Sequence, residues 1–191
     1  MSTVSPFAEK LLTAEEYCEL PHDGRATELI LGKIVEMNQP ESRHGFFCVN
    51  IAAALRAAIK GQNCGRVVSN DSGVVTKRNP DSVRGGDVLF YSYSRVAQNT
   101  LPRGYWPSPE LIFEVRSPSD RWVPIIAKVQ EYLEADVRVV VVVDPEERRT
   151  HVYTHDQAPQ IVEANGELDL GRILPDVLPG CVLHVREFFE E

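Results

Sequence analysis

Three side chains in this sequence break the pattern of the segments that carry them. Glu114 interrupts the apolar run Leu111-Ile112-Phe113-Glu114-Val115. A carboxylate inside such a strand needs a paired charge, hydrogen bonds or a metal ion, because burying it bare is costly. Asp87 opens a second apolar run, Asp87-Val88-Leu89-Phe90, directly after Gly85-Gly86. Two carboxylates at the ends of neighbouring strands are the hard oxygen ligands that Mg²⁺ prefers. Lys128 lies on a segment whose helical stripe is Ile125, Ile126, Val129, Tyr132 and Leu133. At ~100° per residue it falls on the margin of that stripe. From there its stem can lie on the core while the ammonium turns back towards the end of the preceding strand. Spacing alone leaves each residue open. Asp87 also reads as a turn or cap residue, Glu114 as half of an ion pair with Arg116 or another arginine, and Lys128 as a solvated helix lysine.

The elements that must position these groups follow from punctuation and periodicity. Thr13-Ala14-Glu15-Glu16 is a capping box for a short helix that ends by Pro21. Residues 27–37 carry two apolar runs about Gly32 and predict a tight β-hairpin. A helix is expected over about 44–60, with Cys48, Ile51, Ala52, Leu55 and Ile59 at helical spacing. Short strands are expected near 66–69, 74–77 and 87–91, then a proline-rich loop over 92–108. A strand at 111–115, a helix over about 122–135 and a strand at 138–143 form a unit long enough for a parallel crossover. The last of these, with Val139-Val140-Val141-Val142-Val143, is apolar on both faces and therefore central. A further hairpin is expected at 150–154 and 160–163. The pattern predicts one α/β domain over residues 1–191, built round one mixed central sheet flanked by helices, with extra β-hairpins.

Composition narrows the classes. The chain has 191 residues, 43% hydrophobic and 25% charged, which excludes collagen-like, coiled-coil and disordered proteins. A five-residue aliphatic run cannot span a bilayer, and the first ten residues lack a secretory pattern. Cys18, Cys48, Cys64 and Cys181 form no Cys-x-x-Cys pair, so they read as reduced, mostly buried thiols of a cytoplasmic protein. The net charge of −8 argues against a general nucleic-acid coat. Its distribution is uneven: residues 60–130 carry ten Lys/Arg against six Asp/Glu, and residues 144–191 carry four against eleven. The middle of the chain is where an anionic substrate would be met.

Several segments then occur together in a recognisable order. They are Thr13–Pro21, Glu28–Met37, His44, Gly86-Asp87-Val88-Leu89-Phe90, Pro109–Ser119, Lys128-Val129-Gln130-Glu131-Tyr132, Val142–Pro145 and Leu178-Pro179-Gly180. In this order the chain resembles, over about residues 10–189, the Uma-type restriction endonucleases. These form a bacterial domain-of-unknown-function family within the PD-(D/E)XK nuclease superfamily. The resemblance implies a restriction-endonuclease-like core and Mg²⁺-dependent hydrolysis of DNA phosphodiester bonds, with Mn²⁺ as a substitute ion. Carried over by position, Asp87, Glu114 and the Val115 carbonyl would hold the metal, and Lys128 would stand in for the superfamily lysine. Glu28 and His44 also fall on family positions, as accessory groups or as a hairpin anchor and a core or capping histidine. The chain departs from the family at Gly86, where a proline precedes the aspartate, and at Arg116, where the superfamily lysine would stand. A homodimer is expected, since cutting both strands of a duplex needs two sites. A nuclease-fold module that binds nucleic acid or a protein without hydrolysis is the competing expectation, and an RNA-directed nuclease would share the same site.

Overall fold

The structure is a computed structural model and describes residues 10–21 and 24–191. Helix α1 (Ala14–Cys18) starts as the capping box dictates: Thr13 accepts from the Glu16 amide and Glu16 accepts from the Thr13 amide. Strands β1 (Thr27–Ile30) and β2 (Lys33–Glu36) form the hairpin about Gly32. The long helix α2 (Ser42–Ala58) follows, then β3 (Gly65–Lys77) and β4 (Ser82–Ser92). Next come β5 (Leu111–Val115), helix α3 (Trp122–Glu134) and β6 (Val139–Asp144). Strands β7 (Arg149–Tyr153) and β8 (Gln160–Glu163) complete the main sheet. A small second sheet pairs β9 (Glu167–Asp169) with β10 (Val182–His184) around the short helix α4 (Leu170–Ile173).

The main sheet runs β2-β1-β4-β5-β6-β7-β8, with β3 paired to β4 outside that path. It is mixed and mostly antiparallel. Among the described residues only β5 and β6 pair in parallel, from Leu111↔Val139 to Val115↔Val143, with α3 as the connection. Strand β6 is buried at every residue, as its unbroken valine run requires.

Side-chain alternation divides the core into two layers. Val88, Phe90, Leu111, Phe113 and Val115 pack with Phe47, Ile51 and Leu55 of α2. Leu89, Tyr91, Ile112, Val140 and Val142 pack with Val129 and Tyr132 of α3. The sheet is therefore sandwiched between the two long helices, and the crossover unit brings α3 over the end of β5.

One difference from the sequence expectation matters for the site. The two short strands expected at 66–69 and 74–77 are one bent strand, β3. Its pairing with β4 shifts register between Ser69 and Ser72. Asn70 and Asp71 fill that bulge with φ of 73° and 48°. Asn and Asp tolerate this left-handed conformation better than most residues, so the polar break in the strand is what lets it bend rather than stop.

Candidate active site

The site lies where β4 and β5 part. Val88 pairs with Phe113, and continuing that antiparallel register by one residue sets Asp87 opposite Glu114. The ladder does not continue there through the backbone. The Val115 amide donates instead to Asp87 Oδ2, at 2.6 Å. Asp87 Oδ1 meets His44 Nε2, from the first turn of α2, at 3.0 Å. The aspartate is thereby fixed between a strand and a helix.

Glu114 is held from the other layer. Lys128 of α3 donates to its Oε2 at 2.8 Å, and the Tyr132 hydroxyl lies 2.9 Å from its Oε1. Lys128 and Tyr132 are four residues apart, so they project from one face of α3. Both also reach the Gly85 carbonyl oxygen, at 2.8 and 2.9 Å. The lysine therefore turns back to the end of β5 and the middle of β4, and it lies beside the carboxylate rather than in solvent.

Glu28 supports this arrangement from β1. Its Oε1 accepts from the Gly85 amide at 3.0 Å and lies 3.6 Å from Lys128 Nζ. Its Oε2 accepts from Arg84 at 2.9 Å, and Arg84 forms a two-point pair with Glu131 of α3. The Gly85 peptide is thus gripped on both sides, by Glu28 at its amide and by Lys128 and Tyr132 at its carbonyl. A side chain at this position would crowd Asp71, whose Cβ lies 3.2 Å from where a Gly85 Cβ would stand.

The electrostatics follow from burial and close packing. Burial pushes the Glu114 carboxyl up to about 7; the Lys128 charge opposes this and the Asp87 charge adds to it. Burial would also raise Asp87, but the His44 hydrogen bond and charge, with Lys128, hold it below the usual carboxylate range. The hydrogen bond to Asp87, with a contribution from Cys48, raises His44 to about 11. Burial works against the Lys128 charge, but Glu114, Glu28 and Asp87 more than offset it and raise its pKa.

Sequence reasoning missed two groups of this site. Asp71 stands in the β3 bulge as an exposed residue next to Asp87; partial desolvation raises its carboxyl, and the Asp87 charge and hydrogen bond raise it further. The signal for it was the run Asn70-Asp71-Ser72-Gly73 within an apolar strand pattern. Tyr132 belongs to the helical stripe, and its ring is indeed in the core, but its hydroxyl reaches into the site. Arg116, in contrast, does not pair with Glu114. Beyond the end of β5 it turns to Asp144, at 3.1 Å, and lies over the Trp122 ring.

Chemically, Asp87 and Glu114 offer hard carboxylate oxygens from adjoining strands, the ligand type of a divalent cation such as Mg²⁺ or Mn²⁺; in the structure those oxygens meet His44, the Val115 amide, Lys128 and Tyr132. Among the described residues no helix is long and apolar enough to cross a membrane.

Comparison with known proteins agrees with this architecture. The family model described as "Uma2: Putative restriction endonuclease" matches residues 14–186. The crystal structure of a putative nuclease belonging to DUF820, from Anabaena variabilis ATCC 29413, is similar with a TM-score of 0.76. The similarity covers 93% of this chain and 97% of the other at 18% identity, and so it shows a shared fold. No curated protein matches the chain.

Proposed function

The chain belongs to the Uma2 family of putative restriction endonucleases, and from that premise we propose that it is a metal-dependent endonuclease that hydrolyses phosphodiester bonds of DNA. The observation that carries this reading is the contact of Lys128 with Glu114 opposite Asp87, one cation and two carboxylates where β5 ends and parts from the middle of β4. Asp87, Glu114 and the Val115 carbonyl would hold Mg²⁺ or Mn²⁺. When bound, such an ion lowers the pKa of water and neutralises charge on the scissile phosphate.

The chain's own residues do the rest. The Val115 amide and His44 keep the Asp87 carboxylate ionised and fixed in orientation. Lys128 holds a positive charge beside the reacting centre, where it orients the attacking water and stabilises charge that develops on the phosphoryl oxygens. Tyr132 and Glu28 hold Lys128 and the Gly85 peptide in register. Glu28 and His44 are thus positioning residues in this proposal. A two-fold dimer would bring two such sites to the two strands of a duplex.

Nicking of supercoiled plasmid tests the reading. Purified protein is expected to convert it to open-circular DNA with Mg²⁺ or Mn²⁺, and to lose that activity in EDTA and in Glu114→Gln. The net charge of −8 favours the competing reading of a module without hydrolysis. Wild-type protein inert towards DNA and RNA with both ions would leave that reading ahead, and cleavage of RNA alone would reassign the substrate.

A further inference from the structure

A second metal-binding chemistry stands beside the carboxylates. His44 and Cys48 are four residues apart near the start of α2, so both project from one face of the helix. A ring nitrogen of His44, the Cys48 sulfur and a carboxylate oxygen of Asp87 all lie within 4.8 Å of one another. Each comes from a buried or half-buried side chain. The His44 ring uses Nε2 on Asp87, and its Nδ1 is fully buried, with no atom among the described residues in hydrogen-bond geometry. A buried ring nitrogen left without a partner is uncommon, and it leaves the ring held by its Nε2 contact with Asp87 and free of a second hydrogen bond that would oppose its turning.

We propose that His44, Cys48 and Asp87 form a binding site for a zinc-class transition-metal ion, distinct in chemistry from the oxygen site of Asp87 and Glu114. Imidazole, thiolate and carboxylate are the ligand types of zinc, and a thiolate has little affinity for Mg²⁺. In a tetrahedral zinc site with bonds of ~2.0–2.3 Å, ligand atoms stand roughly 3.3–3.5 Å apart. Separations of at most 4.8 Å therefore need about 1.5 Å of closure or less. Rotation of the Cys48 and His44 side chains can supply this without moving the backbone. Water completes the shell. Binding releases the thiol proton and a ring proton to solvent and forms bonds from the metal to nitrogen, sulfur and oxygen, with no change of oxidation state.

The consequence is a switch in Asp87. Its carboxylate, which in the structure meets His44 and the Val115 amide, is the one ligand that both sites would claim. Zinc-class ions would then antagonise hard ions at the neighbouring site, through one shared ligand. The soft site itself does not depend on the nuclease reading, because binding can be read without substrate.

Cobalt(II) is the probe. Titration of metal-free wild-type protein is expected to give a thiolate-to-cobalt charge-transfer band and strong visible bands of four-coordinate Co²⁺, both displaced by equimolar Zn²⁺. Cys48→Ser should lose the charge-transfer band, and His44→Gln should weaken binding at least ~10-fold. Cys64→Ser should keep the band. Circular dichroism reports whether each variant is folded. Independently of any variant, Zn²⁺ should protect Cys48 of the wild type from alkylation, and Mg²⁺ should not. A wild-type protein without the band, a band that survives in folded Cys48→Ser, or Cys48 alkylated equally with and without Zn²⁺ would each overturn the proposal. A soft site with no plasmid cleavage would leave this inference standing while the nuclease reading fell.

Discussion

The Lys128 ammonium lies 2.8 Å from Glu114 Oε2 and joins α3 to the end of β5 through a mostly buried ion pair. The same ammonium reaches the Gly85 carbonyl on β4, so one cation ties three elements together. From the sequence, a lysine on the margin of a helical stripe reads as cheap to replace. The structure argues otherwise, because removing one partner of a buried pair leaves the other charge without compensation. Lys128→Met is expected to lower turnover ~10²–10³-fold. It should also cost about 2–4 kcal/mol of stability at pH 8.5, where Glu114 is charged. At pH 5.5 Glu114 can take up a proton, and the cost should shrink. Urea denaturation at the two pH values measures the difference, and an equal cost at both would contradict the pairing.

Glu114 makes stability depend on pH in the opposite sense to an ordinary salt-bridged acid. Its carboxyl is raised to about 7 by burial, above the value it has in the unfolded chain. The folded form therefore holds the proton more tightly, and the associated stability is present at low pH. It is lost as pH rises from ~4.5 through about 7. For the metal-free protein this amounts to roughly 3 kcal/mol between the two limits. His44 also loses stability with rising pH, but from its unfolded value near ~6.5 upward. The difference between wild type and Glu114→Gln isolates the glutamate's share. Denaturation curves in EDTA at half-unit pH steps should show it, and saturating metal should flatten it, because a bound cation favours the charged carboxylate.

Much of this frame is written locally. The capping box at Thr13, the hairpin about Gly32, the strand Leu111–Val115 and the valine run of β6 each declare themselves within a few residues. The acids Asp87 and Glu114 stand out because each violates the apolar pattern of its own strand. Tyr132 does not stand out, because its ring satisfies the pattern and only its hydroxyl departs from it. Asp71 is hidden for a different reason. A β-bulge is defined by pairing with another strand, and the residues from Asn70 to Gly73 read locally as a turn. The His44–Asp87 pair spans 43 positions and belongs to packing of α2 on the sheet, which no local spacing encodes.

Asp81 predicts a structural effect away from the chemistry. Its carboxylate accepts from the Ala14 amide at 2.8 Å, the Asn79 amide at 3.1 Å and Arg78 at 2.8 Å. It therefore ties α1 to the turn between β3 and β4. Burial opposes its charge, but these donors hold its carboxyl below the usual range. Asp81→Ala is expected to cost about 1.5–3 kcal/mol, the worth of hydrogen bonds to a charged group. The stabilisation is present above the unfolded value near ~3.9 and lost as pH falls through the lower folded value. Thermal unfolding at pH 7 should show the loss, with plasmid nicking per folded molecule retained.

Asp71 gives the last prediction, because it sets a second carboxylate beside Asp87. Although the residue is exposed, partial desolvation raises its carboxyl and the Asp87 charge adds to it. Its negative charge therefore works against the folded metal-free protein at pH values above its unfolded value and not below it. Asn is the apt replacement, since it keeps the tolerance for a φ of 48° and removes the charge. Asp71→Asn should raise the stability of the metal-free protein at pH 8 and leave it nearly unchanged at pH 3. It should also weaken the binding of Mn²⁺, measured calorimetrically, because one fewer anion then faces the site. These two effects have opposite signs, and that is the useful feature. Loss of stability at pH 8 would mean that Asp71 serves the β3 bulge through contacts other than its charge. Unchanged Mn²⁺ affinity would place it outside the field of the proposed metal site.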